Sequence, residues 1–289
     1  MDNQDNRSEK SGEGIKIAAG IVLLLVLFSA AAVAFYINRD DIYSLLRGGA
    51  GEAADRADKT DKSDKSEKTG GGDGHPAPAP GQNHAFGPSG HLKNVIFLGD
   101  SIMAGFEVCK ATTEVNGEKV LEGAAVVAAV SYSLKNAVSE LSGNSVNLTH
   151  EGRPMKPEDI VARLDSKYVF ICLGLNDLFN STLEEYIEDY GKLVKNIRAK
   201  SPGKVIAVLS VTPLVAGQKW GNMTNEVIAE ANDRLMEFAG EYDLYFIDWA
   251  AAIRDENNAL HASLSSDGYC HLKPEAYRRL AEYLVNYMS

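Results

Sequence analysis

Ser101 is a serine placed where its hydroxyl could act as a nucleophile. It follows a short apolar run, Val95–Leu98, and then Gly99 and Asp100. The run is rich in residues that favour β-strands, so a buried strand is predicted to end here. Open α/β sheets bind their ligands at the carboxyl ends of the strands. The sequence therefore predicts an exposed Ser101 hydroxyl at the ligand-binding edge of a sheet, at the start of the following helix.

A histidine far along the chain is the candidate base for that hydroxyl. His271 comes shortly before Pro274, which is typical of the first turn of a helix. Asp267 precedes it by four residues, across Gly268. An acid in that place could accept a hydrogen bond from one ring nitrogen and leave the other facing Ser101. A lone histidine before a helix is more often an ordinary surface residue, and the neighbouring acid is what favours a catalytic role.

A second loop offers a hydrogen-bond donor for an oxyanion. The apolar run Tyr168–Leu173 is followed by Gly174, Asn176 and Asp177. An Asn side chain carries two N–H donors and no charge, which suits the stabilisation of a developing oxyanion. The alternative is an Asn-Asp turn in which Asp177 caps the helix that follows it. Both interpretations stay open on these residues alone.

A third loop supplies small residues where a backbone N–H could approach a ligand. The second predicted strand ends near Ala128–Ser133, and Ser131 is the candidate donor through its backbone N–H. A loop residue without a role is an equally good interpretation of Ser131.

The elements that must position these residues alternate between short apolar runs and helical segments. The predicted strands are Val95–Leu98, Ala124–Val130, Tyr168–Leu173, Val205–Val211 and Leu244–Ile247. The predicted helices include Ser181–Ala199, Asn225–Phe238 and Pro274–Tyr287. Alternating strands and helices indicate crossover connections, and continuous apolar runs are typical of parallel strands buried on both faces. The predicted fold is a three-layer α/β/α sandwich around a parallel sheet of about five strands.

Three segments in chain order together resemble the SGNH (GDSL-type) hydrolase family. They are Gly99–Ser101, Gly174–Asp177 and the pair Asp267 and His271. The resemblance covers roughly His91 to Ser289. It implies a flavodoxin-like α/β/α sandwich and an enzyme that hydrolyses esters.

The resemblance also implies a role for each matched residue. Ser101 is expected to be the nucleophile, His271 the base and Asp267 its partner. The oxyanion hole is expected to use the Ser101 N–H, a second backbone N–H and the Asn176 side chain. Gly174 and Asp100 are further candidates for the oxyanion or substrate site.

Two departures from the family pattern bear on these roles. The family places three residues' separation between the acid and the histidine, whereas Asp267 and His271 are four apart. The extra residue is placed in the loop around Tyr269 and Cys270. The glycine of the family's second block is absent, and Ser131 fills the nearest equivalent place, where only its backbone would be needed.

Composition excludes several classes of protein. A formal net charge of -11 argues against a nucleic-acid partner, because such proteins carry basic patches. Three cysteines are too few for a disulfide framework, although Cys109 and Cys270 could pair if the fold brings them together. Asp100, His150, Asp177 and His271 lack the spacing of a metal site, so no required metal and no cofactor are expected.

The chain before the predicted enzyme domain reads as a membrane tether. Residues 1–14 are a predicted cytoplasmic tail, 15–37 a transmembrane anchor, 38–90 a flexible linker, and 91–289 the hydrolase domain. Ile17–Ile37 contains no charge and is long enough to cross about 30 Å of hydrocarbon. A signal peptide cleaved near Ala32–Ala34 is the alternative. Weak charge asymmetry favours an extracytoplasmic catalytic domain on the cell membrane.

The predicted activity is hydrolysis of an ester through an acyl-serine intermediate. Substrate candidates are O-acetyl esters of extracellular glycans and lipid esters. An O-acetyltransferase would use the same residues, and a non-catalytic domain that binds glycan or protein is the other alternative. Because the base must be neutral, activity is expected to fall below about pH 6.

Overall fold

The computed structural model describes residues 92–288. The predicted cytoplasmic tail, membrane anchor and linker all lie outside this range. Between residues 92 and 288, no helix is both long enough and apolar enough to cross a bilayer.

Seven strands and six helices make up the described part of the chain. The strands are β1 (Val95–Gly99), β2 (Ala125–Ala128), β3 (Thr149–His150), β4 (Arg153–Pro154), β5 (Tyr168–Cys172), β6 (Val205–Leu209) and β7 (Tyr245–Ile247). The helices are α1 (Ser101–Cys109), α2 (Leu134–Val138), α3 (Pro157–Arg163), α4 (Leu183–Lys200), α5 (Asn225–Glu241) and α6 (Pro274–Met288). Two short 3₁₀ turns, Trp249–Ala252 and Ala262–Leu264, lie between β7 and α6.

Five of the strands form one parallel sheet in the order β2-β1-β5-β6-β7, while β3 and β4 form a separate hairpin. Renumbered by chain order within the sheet, this is the 2-1-3-4-5 arrangement of flavodoxin-like folds. The predicted five-stranded parallel sheet is therefore confirmed.

Helices cover the sheet in two groups. One group pairs α1 with α6, and in the other α2, α3 and α5 each contact α4. Right-handed crossovers that run in opposite directions along a sheet place their helices on opposite faces. The chain moves from β1 to β2 in one direction and from β5 to β7 in the other, so the three-layer sandwich follows.

Burial explains why the strands could be recognised from the sequence. Every residue of β1 and of β5 is buried, as expected for central strands covered on both faces.

The second predicted strand is shorter than expected, because residues 129–132 form a turn closed by a hydrogen bond from the Tyr132 N–H to the Ala129 carbonyl at 3.2 Å. That turn carries Ser131 away from the sheet.

Strand register sets the position of the site. Gly99, the last residue of β1, is aligned with Ala128 of β2 and with Cys172 of β5. The loops that leave these three strands therefore start side by side at one edge of the sheet. Ser101 and the candidate oxyanion donors all lie in these loops or directly after them.

Candidate active site

A continuous chain of contacts joins the candidate nucleophile, base and acid. The Nε2 atom of His271 lies 3.2 Å from the Oγ of Ser101. On the other side of the ring, Nδ1 lies 2.6 Å from Oδ2 of Asp267. Both distances allow a hydrogen bond, so the structure brings together three side chains that are far apart in sequence.

The loop that carries the acid is organised by the acid itself. Oδ1 of Asp267 accepts the backbone N–H groups of Tyr269, Cys270 and His271 at 2.8, 3.1 and 3.2 Å, and the Ser265 hydroxyl at 3.0 Å. Gly268 has φ of +71°, a conformation that glycine adopts without strain. The loop thereby folds back on Asp267, and a separation of four residues still brings Oδ2 to the imidazole.

Ser265 is a member of this loop that sequence reasoning missed. Its side chain is buried, and its Oγ also accepts the Tyr269 N–H at 3.1 Å. The one signal in the sequence for this role is that Ser265 stands two residues before the acid. Ser and Asp side chains tend to hydrogen-bond nearby backbone groups.

The contact between acid and base shifts the pKa of both groups. The hydrogen bond to Asp267, together with the nearby Cys270 thiol, raises the pKa of His271 above its ordinary 6.5, against the lowering effect of burial. Burial raises the pKa of Asp267, but the hydrogen bonds from His271 and the Tyr269 N–H outweigh burial, so the pKa lies well below its usual range. Asp267 is therefore ionised and able to stabilise an imidazolium.

Asp100 has a structural place beside the nucleophile. Its side chain is only 1% exposed, and its carboxylate accepts the Ile102 N–H at 2.9 Å as the N-cap of α1. Burial raises the pKa of Asp100 to about 7, although the Ile102 N–H and the charge of His271 lower it. The sequence made Asp100 a candidate for substrate contact, whereas in the structure it holds the start of α1 and thereby Ser101.

Asn176 projects from the loop after β5 towards the loop after β2. Its Nδ2 donates to the Tyr132 carbonyl at 3.0 Å. A primary amide has two N–H groups, so one N–H fixes the side chain and the second is left for a ligand. The Tyr132 carbonyl is a partner that sequence reasoning did not identify, because nothing local links residues 44 positions apart.

Ser131 occupies the tight turn next to Tyr132. Its φ of +60° lies in the left-handed region, which costs a non-glycine residue on the order of 1 kcal/mol. Within residues 92–288 its N–H finds no hydrogen-bond acceptor. The N–H of Ser101, as the first residue of α1, has no acceptor inside its own helix either. Ser101 and Ser131 therefore each keep a backbone N–H without an acceptor in the described chain, in segments that follow neighbouring strands of the sheet.

Gly174 turns the backbone after β5 in a space too small for any side chain. Its φ is +153°, and an added Cβ would lie 2.6 Å from Val211 Cγ2 and 2.8 Å from the Tyr186 hydroxyl. The residue is buried. Its contribution to the site is therefore the path of the loop that carries Asn176.

Asp177 caps a helix other than the expected one. The helix after it, α4, is capped by Thr182 and Glu185 instead. The carboxylate of Asp177 accepts the Leu134 N–H at 3.0 Å, at the start of α2. Burial raises its pKa to about 7 against the lowering effect of these backbone hydrogen bonds. The alternative in which Asp177 caps the following helix is wrong, and its actual contact joins the two loops that carry Asn176 and Ser131.

All three cysteines are buried free thiols. The pairing of Cys109 with Cys270 that the sequence left open is not formed. Cys270 instead lies next to the base, with Sγ 4.0 Å from Nδ1 of His271. Among residues 92–288, Asp267, Cys270 and His271 are the one group whose donor atoms lie close enough together to hold a metal ion.

A known protein family matches a large part of the chain. The model of the GDSL-like lipase/acylhydrolase family matches residues 97–279. This range contains Ser101, Asn176, Asp267 and His271. No curated protein sequence matches the chain.

Several solved structures share the fold. A provisionally named platelet activating factor from Streptococcus pneumonia is 20% identical, with a TM-score of 0.50 over 72% of this chain and 87% of that one. A provisionally named acylhydrolase from Bacteroides fragilis is 17% identical, with a TM-score of 0.50 over 71% of this chain and 92% of that one. A GDSL-like lipase from Bacteroides thetaiotaomicron is 16% identical, with a TM-score of 0.49 over 72% and 93%.

The two structures with a TM-score of 0.50 support the fold alone, whereas the family match spans the larger part of the chain and all three sequence blocks. The chain therefore belongs to the GDSL-like lipase/acylhydrolase family and is a hydrolase of ester bonds.

Proposed function

We propose that the protein is a serine esterase that works through an acyl-enzyme at Ser101. The observation that carries the proposal is the unbroken contact from Asp267 through His271 to Ser101, at 2.6 and 3.2 Å. Neutral His271, with its proton at Nδ1 facing Asp267, presents the lone pair of Nε2 to the hydroxyl. This is the protonation state in which a histidine can act as general base.

In the acylation step, the Ser101 Oγ forms a bond to the ester carbonyl carbon as its proton passes to Nε2 of His271. The resulting tetrahedral oxyanion accepts hydrogen bonds from the backbone N–H groups of Ser101 and Ser131 and from the Asn176 amide. Collapse of this intermediate breaks the bond to the alcohol, which takes the proton from His271. Water then attacks the acyl-enzyme through the same steps, and the carboxylic acid is released.

The conformation of Ser131 supports its place in the oxyanion hole. The family carries a glycine in its second block, and Ser131 has the positive φ that glycine favours. Because the proposed donor is the backbone N–H, the side chain of residue 131 is not required to be glycine. Ser131→Gly should therefore keep activity and relieve the strain.

The non-catalytic alternative rested on the four-residue separation between acid and base. The 2.6 Å contact of His271 with Asp267 argues against it. A fluorophosphonate probe tests the choice, because such probes react only with an activated serine. The wild type should be labelled and Ser101→Ala should not. Ser166→Ala, a half-buried serine before the amino end of β5, is the matched control and should be labelled like the wild type. Labelling of Ser101→Ala at the wild-type rate would refute the proposal.

For the substrate, we propose a short acyl ester, such as O-acetyl, on an extracellular glycan, with lipid esters as the alternative. The side chains of Asp267 and His271 are each 35% exposed, so the site is open enough for a bulky alcohol to lie across it. A panel of aryl esters from acetate to palmitate tests the acyl preference. Highest kcat/KM on acetate supports the proposal, and highest kcat/KM on palmitate favours the lipid alternative.

A transferase would differ only in the acceptor that resolves the acyl-enzyme. Release of free acetate in the presence of a glycan acceptor supports the hydrolase, and acetylated acceptor supports the transferase.

We also propose that Ile17–Ile37 anchors the protein in the cell membrane with the catalytic domain outside the cytoplasm. This rests on the uncharged apolar run and on the Lys and Arg residues beside it, of which Arg7, Lys10 and Lys16 precede the run and Arg39 and Arg47 follow it. Fractionation of cells, followed by protease treatment of intact spheroplasts, tests both parts. Membrane association with loss of the domain to added protease is expected, and a soluble full-length chain would contradict the anchor.

A further inference from the structure

A thiol lies beside the ring nitrogen that faces the acid. The Sγ of Cys270 is 4.0 Å from Nδ1 of His271, and the same Nδ1 lies 2.6 Å from Oδ2 of Asp267. The sulfur, nitrogen and oxygen all lie within 4.8 Å of one another. Hydrolysis as proposed makes no use of the thiol. Cys270 directly precedes His271 in the loop that joins the acid to the base.

The three atoms have nearly the spacing of a tetrahedral zinc site. With Zn–N and Zn–O bonds of about 2.0–2.1 Å and a Zn–S bond of about 2.3 Å, the ligand atoms must be roughly 3.4 Å (N to O) and 3.6 Å (N to S) apart. The observed distances are 2.6 and 4.0 Å. Changes of less than 1 Å in these two distances would give the N to O and N to S spacing of a zinc site.

The surroundings favour a cation and hold the ligands in place. Oδ1 of Asp267 is occupied by the N–H groups of Tyr269 and Cys270, which leaves Oδ2 aimed at the ring. Outer hydrogen bonds of this kind orient the first ligands of metal sites. The Asp267 and His271 side chains are each 35% exposed, so an ion can enter from solvent and water can complete its coordination.

We propose that Asp267, Cys270 and His271 bind Zn²⁺, and that binding switches the esterase off. A carboxylate, an imidazole and a thiolate are a donor set suited to zinc. Zinc is in this case an inhibitor and not a cofactor. The binding part of the proposal stands on the three ligands alone, whereas the inhibitory part rests on the proposed role of His271 as base.

Inhibition follows from the position of one proton. Zinc takes the lone pair of Nδ1, so the proton of the neutral ring moves to Nε2, and Cys270 releases its thiol proton to solvent. Nε2 then carries a hydrogen and has no lone pair to accept the Ser101 proton. One proton is released for each zinc bound, and removal of the ion restores the original tautomer.

Binding is tested in a way that does not depend on activity. Co²⁺ is added to full-length Ser101→Ala, which keeps all three ligands, and the near-ultraviolet thiolate-to-cobalt charge-transfer band is recorded. The band is expected in this variant and in the wild type, and it should be lost in Cys270→Ala. Cys109→Ala removes a thiol of the same 7% exposure and should keep the band. A band that persists in Cys270→Ala, or its absence from the wild type, overturns the site.

Inhibition is then measured as the zinc concentration that halves the rate, with each variant compared with its own zinc-free rate. Cys270→Ala should need at least about tenfold more zinc than the wild type. Cys109→Ala should match the wild type, and a chelator should restore activity in both. Equal sensitivity of Cys270→Ala and the wild type would overturn the inhibitory role. A wild type that shows the cobalt band but keeps full activity with bound zinc would refute His271 as base and leave the metal site standing.

Discussion

Replacing Asp267 by asparagine separates the two roles of this side chain, which are to hold the loop and to set the tautomer of His271. Asparagine keeps an oxygen at the Oδ1 position, where the N–H groups of Tyr269 and Cys270 donate at 2.8 and 3.1 Å. It places an N–H group at the Oδ2 position, 2.6 Å from Nδ1 of His271 in the wild type. Two donors cannot face each other, so Nδ1 must become the acceptor and the ring proton must move to Nε2.

The expected loss in kcat follows from that proton. Nε2 lies 3.2 Å from the Ser101 hydroxyl, and once protonated it cannot act as base. The expected fall is about 10³–10⁴-fold in kcat, the effect of a wrong tautomer in a serine triad, and it corresponds to about 4–5.5 kcal/mol of transition-state stabilisation. The fold should be nearly intact, because the Oδ1 contacts remain and the side chain is 35% exposed.

The assay is kcat on an aryl acetate together with thermal unfolding of each variant. Asp267→Ala should lose activity to a similar degree and also lower Tm, since it removes both sets of contacts. Asp255→Asn is the matched control, because Asp255 also holds backbone N–H groups of a loop, those of Asn257 and Ala259, at 2.9 Å each. That control should keep wild-type kcat. A folded Asp267→Asn with kcat within about tenfold of the wild type would refute the tautomer argument.

Three further predictions concern other parts of the molecule. The raised pKa of His271 corrects the expectation from the sequence that activity falls below about pH 6. Because only the neutral ring is a base, activity should be lost as pH falls through a midpoint above 6.5, and a midpoint of kcat/KM at or below 6.5 would contradict this. Asn176→Ala should lower kcat about 10²–10³-fold with little change in KM, and an unchanged kcat would remove it from the oxyanion hole. Gly105→Ala should destabilise the fold by roughly 1–3 kcal/mol in denaturant unfolding, because the new Cβ would lie 1.9 Å from the Tyr277 hydroxyl. The control Gly240→Ala places its Cβ in open space and should be neutral or stabilising.

The sheet could be predicted from the sequence because its central strands obey a simple rule. β1 and β5 are buried on both faces, so each had to be a continuous apolar run. The positions of the candidate catalytic residues could then be predicted from the ends of the strands, because the carboxyl ends of parallel strands lie at the same edge of the sheet. Ser101 and Asn176 could be assigned to that edge for this reason, whereas His271 was a candidate because it precedes the Pro274 helix and has Asp267 nearby, with the family resemblance as further support.

The loops could not be predicted in the same way, because tertiary hydrogen bonds determine their conformation. Asp177 caps α2 and not the next helix, across 43 positions that no local pattern links. The four-residue separation of Asp267 and His271 read as a departure from the family, yet the turn at Gly268 closes it to a hydrogen bond. The distance of Cys270 from the imidazole depends on that same turn. From the sequence alone, Cys270 could therefore be identified only as one of three cysteines, and not as a neighbour of the base.

The nucleophile and the base come from distant parts of the chain, and this has a consequence for how the enzyme fails. Ser101 follows β1, a strand that is paired on both sides. His271 lies 170 positions later in the chain, after β7, an edge strand of only three residues that pairs with β6 alone. Local opening of this border segment would part imidazole from hydroxyl and leave the central strands intact. Turnover should therefore vanish at a lower denaturant concentration than the circular dichroism of the sheet, with amide exchange fastest around β7. Inactivation and unfolding would then be two separate events.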